Sequence, residues 1–244
     1  MKPVLERIRK YLLHILLPKT CLHCLEDLPW HNGSALCRLC QDGLEQLPGL
    51  HCERCGLPLE HGGRQCYDCR GPETAAAALD LARSAFVFNP QIRSLICAFK
   101  YSGMSGLSAE LCEALCAAHG RFGELDNYKF VLAVPLHPSK KKSRGFNQSE
   151  LLAAGLAAKK RLFLLEGAAE RVTDTKPQVS LSKAQRALNM KGAFKITRPE
   201  LVSGRDILLV DDVATTLSTL EELAAELKKH GATGVAALTL AREP

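Results

Sequence analysis

Residues 207–219 read ILLVDDVATTLST, and the order of residue types in this stretch decides the fold. Ile207, Leu208, Leu209 and Val210 form a short, wholly apolar run of branched side chains, the pattern of a strand buried on both faces of a parallel sheet. Asp211 and Asp212 then fall at its carboxyl end, the edge at which open α/β sheets bind their ligands. From Thr219 to Lys229, Leu220, Leu223, Ala224 and Leu227 recur at helical spacing, so the whole reads strand, polar loop, helix. Unpaired amides at the helix N-terminus, with the hydroxyls of Thr215, Thr216, Ser218 and Thr219, are suited to ring a phosphate. Two carboxylates would repel that phosphate. They are better aimed at ribose hydroxyls or at a bridging Mg2+, an ion often held by carboxylates together with substrate phosphates. The competing reading, an ordinary helix N-cap, explains neither the paired acids nor the length of the loop.

A second strand end has the opposite charge. Phe130 to Val134 reads as another buried strand, and it runs through Pro135, Leu136, His137 and Pro138 into SKKKSRGFNQSE before a leucine- and alanine-rich helix. Lys140, Lys141, Lys142 and Arg144 supply positive charge, Gly145 frees the backbone, and Asn147 or Ser149 is placed to cap the helix. Most lysine runs are solvated loops. The succession RGFNQS, with an arginine, a glycine, an aromatic and two amides, goes beyond what solubility requires. Upstream, Ser84 to Phe88 reads as a strand, Asn89 towards Phe99 as a helix, and a further helix begins near Leu107.

The chain has 244 residues and a formal net charge of +6; 46% of it is hydrophobic and 24% charged, ordinary for a soluble globular protein. Aromatic residues make up only 5%, too few for an extensive base-stacking platform. No stretch approaches the roughly 18 apolar residues of a spanning helix. Val4, Leu5, Ile8, Leu12, Ile15 and Leu16 recur at helical spacing among charged residues; we expect a packing helix there, with a membrane-surface or partner helix as the alternative.

Eight of the eleven cysteines form four CxxC pairs: Cys21 and Cys24, Cys37 and Cys40, Cys52 and Cys55, Cys66 and Cys69. Both thiolates of such a pair reach one tetrahedral Zn2+, and eight thiolates fill two closed, structural sites of four sulfurs each. Assigning the first four to one ion and the last four to the other is simplest; interleaving is the alternative. Disulfides are the rival chemistry, and they belong to oxidising compartments, whereas the apolar core of the first residues is too short for a secretory segment and a reducing, cytoplasmic setting is expected. No histidine is named as a ligand, although His23, His31, His51 and His61 lie nearby. Cys97, Cys112 and Cys116 lack metal spacing and read as small buried hydrophobes. GPETAAAALD, at 71–80, marks a change of composition. It divides a cysteine-rich module at 1–72 from an α/β domain at 80–244.

The stretch 207–219 resembles the phosphoribosyl pyrophosphate (PRPP) motif of the type I phosphoribosyltransferases. That resemblance implies a parallel-sheet α/β fold, Asp211 and Asp212 on the ribose hydroxyls, Ala214, Thr215, Thr216, Ser218 and Thr219 around the 5′-phosphate, and Mg2+ bound with PRPP. Leu217 stands where that family usually has glycine, and its side chain is expected either to crowd the phosphate or to resist the backbone angles that glycine accepts. With the CxxC pairs, Phe99, Lys100 and Tyr101, VPLHPSKKKSRGFNQSELLA, then Gln178, Leu181, Arg186 and Asn189 before GAF, nearly the whole chain resembles the ComF family, also called GntX-like: competence-associated proteins with a zinc-binding part and a phosphoribosyltransferase-like domain. The resemblance implies a pyrophosphate loop containing Leu136, His137, Lys140, Arg144, Gly145, Asn147 and Gln148, and a hood over 175–189 from which Arg186 and Gln178 reach the ligand. It also implies a role in uptake or processing of transforming DNA, with single-stranded DNA and competence-machinery proteins as partners. The alternative is a working enzyme that transfers phosphoribosyl from PRPP to a nitrogen acceptor.

Overall fold

A computed structural model describes residues 18–71, 77–101, 104–174 and 190–244. The expected N-terminal helix over 4–16 and the expected hood over 175–189, with Gln178 and Arg186, lie outside them. In chain order the cysteine-rich part contributes two short helices, α1 (Arg38–Asp42) and α2 (Tyr67–Arg70). There follow β1 (Leu81–Val87), α3 (Pro90–Tyr101), α4 (Ser108–Arg121), β2 (Phe130–Ala133), α5 (Pro138–Arg144) and α6 (Gln148–Lys160). The remainder is β3 (Phe163–Leu164), β4 (Ala169–Arg171), β5 (Phe194–Ile196), β6 (Asp206–Ala214), α7 (Ser218–Lys229) and β7 (Gly234–Arg242).

Five strands form one parallel sheet in the order β1-β7-β6-β2-β3, and β4 pairs antiparallel with β5 beside it. β7 is buried along its entire length, as its apolar sequence requires of a strand covered on both faces. The pleat sends alternate residues of β6 to opposite layers. Leu208 and Val210 join a core with Leu111, Leu115, Leu152 and Leu156 of α4 and α6. Ile207 and Leu209 join a second core with Leu220, Leu223 and Leu227 of α7.

This layering fixes where a crevice opens. From β6 the chain crosses by α7 to β7 on one side; from β2 it crosses by α6 to β3 on the other. Two crossovers leaving adjacent strands in opposite directions put their helices on opposite faces and part the loops between them. The switch point therefore lies between the carboxyl ends of β2 and β6.

β6 is longer than its apolar run. β2 leaves it at Ala133 opposite Val210, whereas β7 pairs with it as far as Ala214 opposite Arg242. The acid pair thus lies in strand backbone, held on the β7 side and open on the β2 side. The basic segment, expected as a loop, is helical over Pro138–Arg144, because His137 caps it and Pro138 supplies a ready-made first turn. Cys112 and Cys116 are buried as expected, but Cys97 is exposed, since α3 buries Ile92, Leu95, Ile96 and Phe99 and turns Cys97 outward.

The cysteine-rich part is a structural repeat that straddles the β1 edge. Around each leading CxxC the same bonds recur: the Cys21 amide donates to Glu26 O and the Cys52 amide to Leu57 O, both at 2.8 Å, while the bridges Thr20 to Asp27 and His51 to Pro58 close matching antiparallel turns. The first unit joins the α3 and α4 core and the second the α7 core. Between them the chain bonds to the free edge of β1, with the Leu47 amide donating to Ala85 O (3.2 Å) and the Val87 amide to Glu45 O (2.8 Å). An edge that would otherwise invite another strand is thereby covered.

Candidate functional site

The crevice is built from four connections. From β6, Asp212 is buried and Asp211 partly so. Lys100, at the end of α3, places Nζ 2.8 Å from Asp212 Oδ1, with both side chains largely covered. Ser149, 4% exposed in the first turn of α6, donates to Asp211 Oδ1 at 2.8 Å, and the Asp212 amide donates to the same oxygen at 2.9 Å. Burial first, and then the neighbouring charge of Asp212, push the Asp211 carboxyl up to about 7. Burial pulls the Lys100 ammonium down, but Asp212 and Asp211 outweigh it and hold Lys100 above its ordinary value. One cation thus faces two acids, which leaves anionic capacity for a divalent ion or for hydroxyl donors.

The loop after the acids is pinned from behind. Arg242, closing β7 and 7% exposed, donates through Nη1 to Ala214 O (3.1 Å) and to Thr215 O. Leu217 takes left-handed backbone at φ 64° and ψ 0° and buries its side chain in the α7 core beside Leu220. The side chain therefore points away from the loop, and the angles that glycine would take easily are adopted by leucine. The first helical bond runs from the Glu221 amide to Leu217 O (2.8 Å), and Leu217 supplies no side-chain cap, so the amides of Ser218, Thr219 and Leu220 point out of the helix end. Thr216 Oγ1 and Ser218 Oγ lie 2.8 Å apart at its rim.

Across the crevice, Asn147 rather than Ser149 caps α6: its Oδ1 accepts from the Ser149 amide and its Nδ2 donates to Val134 O, both at 3.1 Å. Gln148, 1% exposed, accepts from Arg144 Nη1 (3.1 Å), and its Nε2 has no partner among the described residues. Arg144 also lies over the exposed Tyr101 ring, 5.0 Å from its centroid. Gly145 ends α5 at φ 83°. His137 accepts from the Ser139 amide through Nδ1 (3.3 Å). The Ser139 hydroxyl bonds Asp174 (2.8 Å) and Lys140 lies 3.6 Å from the same carboxylate, which together hold it below the usual carboxylate range. Lys141 pairs with Glu150 (2.8 Å). A cleft of about 580 Å³ runs along this side, lined by Pro135, Leu136, Lys141, Lys142, Gly145 and, from β4, Arg171.

Sequence reasoning assigned no role to Lys100, Arg171 or Arg242. An arginine closing a strand that is apolar except for Thr239 was a usable signal for Arg242; nothing in its neighbourhood marks Arg171. Burial draws the Arg171 guanidinium down, and the charges of Asp211 and Asp174 oppose that shift.

The cysteines assemble sequentially. Cys21, Cys24, Cys37 and Cys40 form one group and Cys52, Cys55, Cys66 and Cys69 another, with all sulfurs in each group within 4.8 Å of one another. Cys24 to Cys37 and Cys55 to Cys66 are each 3.6 Å apart, close to the roughly 3.8 Å edge of a tetrahedron with Zn–S bonds of about 2.3 Å. Burial raises the Cys21 and Cys52 thiols, but backbone amides of their own and partner knuckles outweigh it and bring them to about 6 and about 7. Donor set and spacing fit structural Zn2+. His23 bonds Ser94 (3.1 Å) and His51 bonds Pro48 O (2.7 Å), so both are engaged elsewhere.

The architecture defines a class: a double cysteine knuckle fused to a doubly wound parallel α/β domain with an acid pair at its switch point. Residues 12–70 match the family model described as a double zinc ribbon domain. The chain is 31% identical over 230 residues to the DNA utilization protein YhgH of Salmonella typhimurium, covering 92% of this chain and 97% of that protein. It is 29% identical over 227 residues to competence protein F of Haemophilus influenzae (91% and 96% covered) and 28% identical over 239 residues to competence protein ComFC of Bacillus subtilis (91% and 94% covered). The chain belongs to the ComF family, which these competence and DNA utilization proteins represent. No helix among the described residues is long and apolar enough to cross a membrane.

Proposed function

We propose that this protein serves DNA utilization in competence, acting in the cytoplasm with other competence-machinery proteins, and that it binds PRPP with Mg2+ in the crevice and single-stranded DNA along the basic side. The names of its relatives support the biological setting. One observation carries the ligand assignment: Asp211 and Asp212 stand at the β2/β6 switch point between the uncapped end of α7 and a basic connection. In that arrangement the acids accept from ribose hydroxyls or share Mg2+, which supplies positive charge between carboxylates and phosphates. The amides of 218–220 take the 5′-phosphate. Arg144, Lys142 and Gln148 Nε2, which has no partner among the described residues, offer donors for pyrophosphate oxygens. Lys140 to Lys142, on an exposed helix, add phosphate contacts for a DNA strand.

A phosphoribosyl transfer reading is favoured by one feature, the presence of Lys142 and Arg171 in the cleft lining, since the charge of a leaving pyrophosphate needs neutralising. The first of two measurements tests the pyrophosphate contacts both readings share, and the second separates them. PRPP with Mg2+ is expected to raise the melting temperature where ribose 5-phosphate with Mg2+ raises it less, and equal shifts would remove the pyrophosphate contacts. Pyrophosphate release across a nucleobase panel, with and without single-stranded DNA, is expected to stay at background; turnover with any base would replace the binding reading by the enzymatic one.

A further inference from the structure

We propose that Arg242 is a positioning residue that ties the phosphate loop to the second cysteine tetrad, so that metal loading at Cys52, Cys55, Cys66 and Cys69 sets the order of residues 214–219. The consequence for PRPP rests on the reading above; the coupling itself does not.

The Arg242 guanidinium sits between two pieces of backbone that sequence places far apart. Nε donates to Cys55 O at 3.1 Å, inside the second knuckle. Nη1 donates to Ala214 O at 3.1 Å, to Thr215 O and to Glu243 O at 2.5 Å. Arg242 is only 7% exposed and its bonds to Cys55 O and Ala214 O are buried, so loss of either leaves a buried charge partly unsatisfied. A second tie runs parallel. Arg54, between the two leading cysteines, reaches Cys69 Sγ through Nη1 (3.7 Å) and Glu221 Oε1 through Nη2 (2.5 Å). Glu221 is the residue whose amide closes the first turn of α7 on Leu217 O. Its other carboxylate oxygen accepts from the Ala78 and Leu79 amides, each at 3.1 Å.

The knuckle is seated closely enough to transmit a change. Gly56, directly after Cys55, has φ +67°, and a Cβ there would lie 2.7 Å from Ala82 O, so the turn lies flat on β1. The Ala82 amide donates back to Arg54 O at 2.7 Å. The first tetrad is wired differently. His23 bonds Ser94 of α3, the Ala35 amide bonds Glu110 of α4 at 3.0 Å, and Cys24 is exposed where all four cysteines of the second tetrad are buried. Four thiols without a metal cannot hold the knuckle closed, because metal and fold are linked. Opening the second knuckle moves the Cys55 carbonyl and releases one end of the guanidinium bridge; opening the first does not touch it.

Amide hydrogen exchange on the full chain, without ligand, tests this. Cys66→Ser with Cys69→Ser is expected to retain one zinc per chain and to speed exchange of the loop-closing Glu221 and Glu243 amides, which donate to Leu217 O and Ala214 O, by about tenfold or more, with Val131 and Leu132 of β2 protected as in the parent. Cys37→Ser with Cys40→Ser, also retaining one zinc, is expected to leave exchange of the Glu221 and Glu243 amides as in the parent. Loop protection unchanged in the second-tetrad variant, or loosened equally in both, overturns the proposal. If β2 also loses protection in the second-tetrad variant, Arg242→Lys decides: it is expected to keep two zinc ions, a protected β2 and a fast-exchanging loop, and a loop protected as in the parent overturns the coupling. Arg242→Lys is further expected to bind PRPP about tenfold more weakly. A parent chain that does not bind PRPP at all refutes the ligand reading while the exchange data still decide the coupling.

Discussion

The two strand-to-helix connections at the crevice meet the same geometric demand in different ways. Each passes through left-handed backbone close to a helix, at Leu217 with φ 64° and at Gly145 with φ 83°. At Gly145 a Cβ would find no atom within 4 Å, so a side chain would carry the strain and gain nothing. At Leu217 the side chain enters the α7 core, and burial worth roughly 2 kcal/mol offsets about 1 kcal/mol of left-handed strain. The acid connection is largely covered and cross-tied by Arg242, Lys100 and Ser149, whereas Lys140 and Lys141 near Gly145 meet their partners at the surface. The acid side is preorganised and the basic side adjustable, a division consistent with the proposed sugar phosphate on one side and the proposed polyanion on the other.

That contrast breaks most readily at Lys100. Lys100→Met leaves the buried Asp212 without its cation and is expected to lower stability by about 3 kcal/mol in urea denaturation. Lys141→Ala, removing a pair with both side chains about half exposed, is expected to change it immeasurably. Equal losses would erase the difference between the two sides.

Leu217 sharpens the contrast at a smaller scale. Leu217→Ala is expected to cost about 2–3 kcal/mol by emptying its core position. Leu217→Gly should be about 1 kcal/mol more stable than the alanine variant, the reverse of the usual ordering near a helix, because only alanine keeps the left-handed strain. Gly145→Ala should cost about 1 kcal/mol with no burial to offset it.

The raised Asp211 carboxyl gives a pH signature. Its proton is held up to about 7 in the folded protein, so the ligand-free fold loses stability as pH climbs from the unfolded value near 4 through 7. The proposed binding of PRPP with Mg2+ uses the ionised form, so affinity should rise about tenfold from pH 6 to pH 8 and level off above. Asp211→Asn should flatten that rise to whatever the ionisation of PRPP itself contributes; an unchanged rise would mean that Asp211 does not face the ligand.

Local pattern made part of this molecule readable from its residues. The apolar run of β6, the amphipathic period of α7 and the CxxC pairs are short-range signals, and each corresponds to an element or cluster in the fold. The prolongation of β6 through the acids was not readable, since β7 supplies it through pairing to Arg242. Nor was the sequential tetrad assignment, because near-equal spacings fit interleaved pairing as well. Cys97 went astray because its position between apolar residues on α3 concealed which face the helix buries. Lys100 reaches Asp212 from another layer of the fold, and no local pattern encodes a contact of that kind.

The central claim is that the acid pair at the β2/β6 crevice binds PRPP together with Mg2+. Isothermal titration of PRPP into the zinc-loaded protein, with and without Mg2+, and into the Asp211→Asn, Asp212→Asn variant, tests it most directly. We expect saturable, one-to-one heat with Mg2+, much weaker binding without it, and none from the double variant despite an unchanged zinc content. No heat from the parent protein at millimolar PRPP, or equal heat from the double variant, would contradict the account.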